Sequence, residues 1–246
     1  ATLGVVEQRQ ELEGQFVLLS GLVYSDWDPS VYVKDRKEWP DVPVRVAAGI
    51  DFGWNAPCAI LVTGVDRAER VYHLWEFYER KVDDRRLLDV CRRLRGAYRV
   101  QRFFADNADP RLIAALRQGG IPVVASGKKV IGTTANPSGG IGLVNWFMHR
   151  RVGDDHELQA FFVEPRCKHY IHETESYVYE DARTGHNPSE KPRDFLNHLK
   201  DAERYVLTGI ARLGWVKRAA HRNRAVPVVM TSGGRDHMVD HTLGGR

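Results

Sequence analysis

The clearest pattern in the chain begins at Val44, where Val44, Val46, Ala48 and Ile50 alternate with Arg45, Ala47, Gly49 and Asp51. Period-two alternation predicts a strand that ends on a carboxylate. PCAILVTGV (57–65) and RVYHLWEFY (70–78) predict two more strands, joined by the turn Asp66–Glu69. Short links between three successive strands predict an antiparallel meander. Asp83 to Tyr98 then switches to helical spacing, with Leu87, Val90, Cys91 and Leu94 on one face. QRFFAD predicts a fourth strand, again ending on a carboxylate, Asp106. Asp109-Pro110 opens a helix through Gln118, and Gly119-Gly120 closes it, which is strong local capping chemistry.

Further on, IPVVAS (121–126) predicts a short strand. Ile141–Arg151 predicts a helix, QAFFVE (159–164) a strand and Arg166–Tyr177 a helix. Leu196–Leu213 predicts the last strong helix, with Leu196, Leu199, Ala202 and Val206 as its core stripe. Loop-like stretches run over 126–140, which carries Lys128 and Lys129, and over 180–194. The pattern divides the chain into an irregular lead-in (1–43), an α/β domain (44–213) and a basic, flexible tail (214–246).

With 246 residues, 43% hydrophobic and 28% charged, the chain suits a globular domain. A net charge of +4 favours a polyanionic partner. No apolar run reaches membrane-span length, and no signal peptide is visible. Residue 1 is alanine, so the chain reads as a piece of something longer. Three widely spaced cysteines suggest no disulfide framework and an intracellular setting. Cys167, His169 and His172 lie in one short segment without a fourth zinc ligand, so zinc is disfavoured.

The chemistry rests on Asp51, Asp106 and Asp201. Packing gives no reason for a buried strand to end on a carboxylate, because an unpaired buried charge is costly. Carboxylates that converge are tolerated when a hard divalent cation such as Mg²⁺ or Mn²⁺ joins them. The first strand and the one ending at Asp106 are predicted to be parallel neighbours, with the intervening helix as the crossover. Asp194, His198 and Asp201 share one face of the last helix at spacings i, i+4 and i+7. Ala47 and Gly49, on the face of Asp51, are small enough to leave room for a substrate backbone.

Each of these residues also has a plainer reading. Asp51 and Asp106 suit turns, and Asp201 suits a surface pair with Arg204 or Lys200. His198 either touches a metal or orients the neighbouring carboxylate. Asp194 is favoured as the N-cap of the last helix. Glu76 is either a fourth acid or a solvated strand residue. Lys128, Lys129 and Arg193 either hold phosphates or are solvated loop charges.

The order strand–strand–strand–helix–strand–helix–strand is that of an RNase H-like fold, an α/β class with a central mixed sheet of five or more strands flanked by helices. The chain also resembles the nuclease domain of tailed-phage terminase large subunits. The matching pieces are GIDFGWNAPCAILV, FFADNADPRLIAAL, SGKKVIG and NHLKDAERYVL, and the lead-in EGQFVLLSGLVYSDWD resembles the end of that family's ATPase domain and linker. The most specific piece is His-x-x-Asp-Ala-x-Arg-Tyr, from His198 to Tyr205. The resemblance implies a metal-dependent endonuclease that cuts concatemeric double-stranded DNA during genome packaging. It implies a site of two Mg²⁺ or Mn²⁺ ions with Asp51, Asp106 and Asp201 as metal-binding acids and His198 near the metal. It further implies an upstream ATPase domain, a small terminase subunit and a portal protein as partners, and the host cytoplasm as location. No G-x-x-x-x-G-K-[ST] loop is present, so no ATPase activity is expected of this chain. Competing functions are another RNase H-like nuclease (a junction resolvase or transposase), an actin-like sugar kinase and a non-catalytic DNA-binding module.

Overall fold

Strand β1 (Arg45–Asp51) lies inside a six-stranded sheet and is buried beyond its first residue. The computed structural model describes residues 22–126, 140–152, 158–179, 192 and 197–216. β2 (Cys58–Val65) runs antiparallel to β1, with Asp51 opposite Ala59, and β3 (Val71–Glu79) runs antiparallel to β2. This is the expected meander. After helix α2 (Asp84–Tyr98), β4 (Arg102–Asp106) returns parallel to β1 with Ala105 opposite Ile50. One step further along that register, Asp51 and Asp106 end their strands side by side.

β5 (Val123–Ser126) lies parallel to β4 and places Ser126 beside Asp106. Beyond helix α4 (Gly140–His149), the short pair β6 (Arg151–Val152) and β7 (Leu158–Gln159) forms a separate ribbon. β8 (Phe161–Val163) adds to the far edge of β3, parallel to Val71–His73. The sheet order is β5-β4-β1-β2-β3-β8. It is the RNase H-like arrangement, a mixed sheet of six strands where five or more were expected. Where one strand was expected over 159–164, the backbone pairs in two directions and breaks at Ala160, whose carbonyl accepts from Val71 N.

The alternation along β1 decides which helices cover which face. Val46, Ala48 and Ile50 pack under α2 and α3 (Pro110–Gln118) with Leu87, Val90, Leu94, Ile113 and Leu116. Ala47 faces the opposite side, against α5 (Lys168–Ser176) and α6 (His198–Arg212). Two features of the lead-in were not anticipated. α1 (Pro29–Tyr32) is a single turn capped by Asp28, whose Oδ1 accepts from Ser30 N at 2.8 Å, and a 3-10 turn follows at Arg36–Glu38. This is the same Asp-Pro chemistry that starts α3. Val23, Tyr24 and Tyr32 are buried in the α6 side of the core, as is Val216 after the last helix. No helix among the described residues is long and apolar enough to cross a membrane.

Candidate active site

Helix α6 carries the third acid, and its position depends on two glycines. A Cβ at Gly49 of β1 would run into the Ala202 carbonyl, and one at Gly209 of α6 would run into the Phe104 ring of β4. The helix therefore lies across β1 and β4 at backbone contact distance. The small residues on this face of β1 were expected to admit a substrate backbone. They admit the backbone of α6 instead, and this brings Asp201 to the sheet.

Each acid meets a side chain from α6. The His198 Nδ1–H donates to Asp51 Oδ2 at 3.0 Å. The Tyr205 hydroxyl donates to Asp106 Oδ2 at 2.6 Å. Arg204 pairs with Asp201. Asp51 and Asp201 are buried, and Asp106 is half-buried and also accepts from Ala108 N at 3.2 Å. Asp201 does pair with Arg204, but in the interior rather than on the surface. Lys200 points away into the core.

The charges interact. Burial holds the Asp51 carboxyl above its ordinary range; the His198 hydrogen bond opposes this, and the charge of Asp106 adds to it. Burial, the bond to Asp106 and the Asp51 charge all keep the Tyr205 phenol protonated, so it remains a donor. Thus Tyr205 responds to both strand-end acids, and the Arg204 charge, paired with Asp201, also favours ionised Asp51. As the side chains stand, no three His, Cys, Asp or Glu groups among the described residues are placed to hold one ion. Three carboxylates at the ends of β1, β4 and the first turn of α6 are nevertheless the donor chemistry of a hard divalent cation. The raised Asp51 proton affinity is what a cation there would relieve.

Two further carboxylates fix the helices. Glu76 is neither a fourth acid nor solvated. Its Oε1 accepts from His169 N and its Oε2 from Tyr170 N, both at 2.9 Å, so it caps α5 from β3. Glu173 of α5 in turn accepts from Leu199 N at 2.7 Å and Lys200 N at 3.2 Å, so it caps α6. These carboxylates satisfy amides that a helix start leaves orphaned. The N-cap position of α6 is Asn197, without a side-chain cap bond, rather than Asp194. The expected cap was misplaced because the capping group comes from another helix. Asp194, Lys128, Lys129 and Arg193 lie outside the described residues.

No protein-family model matches the chain, and no curated protein matches it by sequence. Solved structures do. The SPP1 bacteriophage g2p large-terminase nuclease domain, solved with bound Mn, is 27% identical with a TM-score of 0.51, covering 68% of this chain and 87% of that one. The chain has the fold of phage large-terminase nuclease domains. The large-terminase nuclease of thermophilic phage G20c, solved with bound magnesium, agrees at 13% identity and TM-score 0.51, covering 76% of this chain and 97% of that one. A longer large terminase, from another thermophilic bacteriophage, is 19% identical at TM-score 0.58, with 77% of this chain covered. This chain spans 45% of that longer protein. Within the terminase-nuclease fold, the sequence signals picked out Asp51, Asp106, Asp201 and His198. They read Arg204 only as a surface partner of Asp201 and gave no role to Tyr205 or Glu173. For Tyr205 the His198–Tyr205 motif was the available signal; for Glu173 there was none.

Proposed function

We propose that this chain is the nuclease part of a terminase large subunit and cuts double-stranded DNA with divalent cations held by Asp51, Asp106 and Asp201. The supporting observation is that, in a terminase-nuclease fold, α6 delivers Asp201 to the sheet end where Asp51 and Asp106 finish adjacent strands. The manganese and magnesium bound in the SPP1 and G20c nuclease domains support the same metal class here. Two Mg²⁺ or Mn²⁺ ions, when bound, would supply an activated water and neutralise charge on the leaving oxygen.

The chain's own residues do the rest. Arg204 holds Asp201 in place, and Asp201 would be one of the acids that hold the cation. His198 keeps Asp51 oriented and is close enough to serve as a nitrogen donor, which suits Mn²⁺ better than Mg²⁺. Tyr205 fixes one oxygen of Asp106, and the other, which accepts from Ala108 N, would face the metal with its remaining lone pair. Lys128, Lys129 and Arg193 are proposed phosphate contacts. Residues 1–43 are proposed to lead from an ATPase domain, and the small terminase subunit and portal protein are proposed partners in the host cytoplasm.

Plasmid DNA tests this reading. Nicking and linearisation with Mn²⁺ or Mg²⁺, and none in chelator, supports it. Cleavage confined to four-way junctions would favour a resolvase, and binding without cleavage a non-catalytic module.

A further inference from the structure

Trp54 is the only aromatic among the exposed large apolar side chains of the described residues, with 56% of its surface open. It follows Asp51 by three residues, in the loop joining β1 to β2. That loop is tight, because a Cβ at Gly53 would run into the carbonyls of Ala56 and Pro57. The Trp54 carbonyl accepts from Lys81 N at 2.9 Å, so the β1–β2 loop and the β3–α2 loop form one unit. Lys81 itself adopts a left-handed backbone (φ 56).

The register places this unit. Asp51 pairs with Ala59 and Ala59 with Tyr78, so Asp51, Ala59 and Tyr78 form one row across the sheet. Arg80 and Lys81 follow two and three residues beyond Tyr78, at the same sheet end. Both are exposed, and neither has a carboxylate partner among the described residues. The acids around them are engaged. Glu79 pairs with Arg86, Asp84 with Arg111, and Asp83 caps α2 through Arg86 N. An excess of positive charge therefore stands beside an open indole, next to three carboxylates that by themselves would repel a phosphate.

We propose that Trp54, Arg80 and Lys81 form a ledge that holds one nucleic-acid strand as it leaves the carboxylate site on the β3 side. Arg80 and Lys81 contact successive phosphates, and Trp54 stacks on a base exposed where the duplex frays. Phosphate contacts of this kind position a strand without reading its sequence, and an indole accepts any base. The proposal rests on the nuclease reading and deepens it, since the ledge assigns that site a strand path.

Binding of a labelled short duplex and of a labelled single strand, measured with Ca²⁺ across a range of salt, tests the ledge. Each lost phosphate contact lowers the salt slope by about 0.9 on duplex and about 0.7 on single strand. Arg80→Ala with Lys81→Gly should therefore lower it by about 1.8 on the duplex. Glycine also keeps the left-handed backbone of Lys81. Trp54→Ala should weaken single-strand binding at least about fivefold, the low end of base–aromatic stacking. Arg67→Ala, in the β2–β3 turn at the opposite end of the sheet, should change neither. Unchanged slope in the double variant, or unchanged single-strand affinity in Trp54→Ala, would overturn the ledge while wild-type cleavage left the nuclease reading standing. Wild type that binds neither probe would remove both.

Discussion

Ala202 of α6 lies directly against the α-carbon of Gly49 on β1, two residues before Asp51. The absence of a single methyl group thus lets the helix bring Asp201 to the strand-end acids. Gly49→Ala must push α6 off the sheet. It should destabilise the protein by at least the ~1–3 kcal/mol typical of overpacking and abolish cleavage. Gly96, in α2, has nothing near its would-be Cβ. Gly96→Ala should instead stabilise by about 0.5–1 kcal/mol, the ordinary helix preference. Denaturant melts of the two variants check the contrast, and equal effects would refute the close approach.

Tyr205→Phe removes the donor to Asp106 Oδ2 and keeps the ring. A hydrogen bond of this kind contributes on the order of 1 kcal/mol to stability. The fold should survive, while cleavage falls roughly tenfold or more as Asp106 loses its fixed orientation. A variant that melts like wild type and cuts at the wild-type rate would reduce Tyr205 to packing.

Away from the acids, the other side of α6 carries a buried polar network. Lys200 Nζ pairs with Glu203 Oε2 at 2.6 Å and is hydrogen-bonded to Tyr170 Oη at 3.0 Å. Glu203 Oε1 also meets His73 Nε2 at 2.9 Å, and His73 Nδ1 reaches Thr63 Oγ1 at 2.9 Å. Burial opposes ionisation of Glu203, but Lys200 and His73 outweigh it and hold the carboxyl below its usual range. Glu203→Gln strands the Lys200 charge and should cost about 3–5 kcal/mol, the usual penalty for breaking a buried pair. Replacing both residues by apolar ones of similar size should recover most of that loss. Urea melts of the single and double variants measure it.

Asp51 gives the protein a stability cost that depends on pH. Its native pKa is raised, chiefly by burial. The folded chain therefore holds this proton more tightly than the unfolded chain, whose Asp titrates near about 3.9. Stability from this group is fully present below about 3.9 and is lost as pH rises through the native value. Asp51→Asn cannot ionise, so in chelator at about pH 7 it should melt higher than wild type, with the gap closing in acid. Mn²⁺ should raise the wild-type melting temperature and leave the variant nearly unchanged. A variant that melts lower than wild type in chelator would contradict this assignment.

Elements with strong periodicity or capping chemistry were legible in the chain: β1 to β5, α2, α3 and α6. So was the parallel pairing that sets Asp51 beside Asp106, because a helix separates their strands. Arg204 was legible as a partner of Asp201 from its spacing, but the partners of Asp51 and Asp106 were not. His198 sits one turn before Asp201, which suggests an interaction within the helix, yet the ring turns across to Asp51. Glu76 and Glu173 could not be assigned because each caps a helix that is distant in sequence, one from a strand and one from another helix. Ala47 and Gly49 looked like space for substrate because spacing gives the size of a side chain but not what fills the gap.

The most direct test of the central claim is plasmid cleavage by wild type, Asp51→Asn, Asp106→Asn and Asp201→Asn across a Mn²⁺ titration, with folding checked by melting. The account predicts metal-dependent nicking and linearisation by wild type, none in chelator, and loss of cleavage in each folded variant. Full cleavage by any of the three folded variants, or wild-type cleavage that persists in chelator, would contradict it.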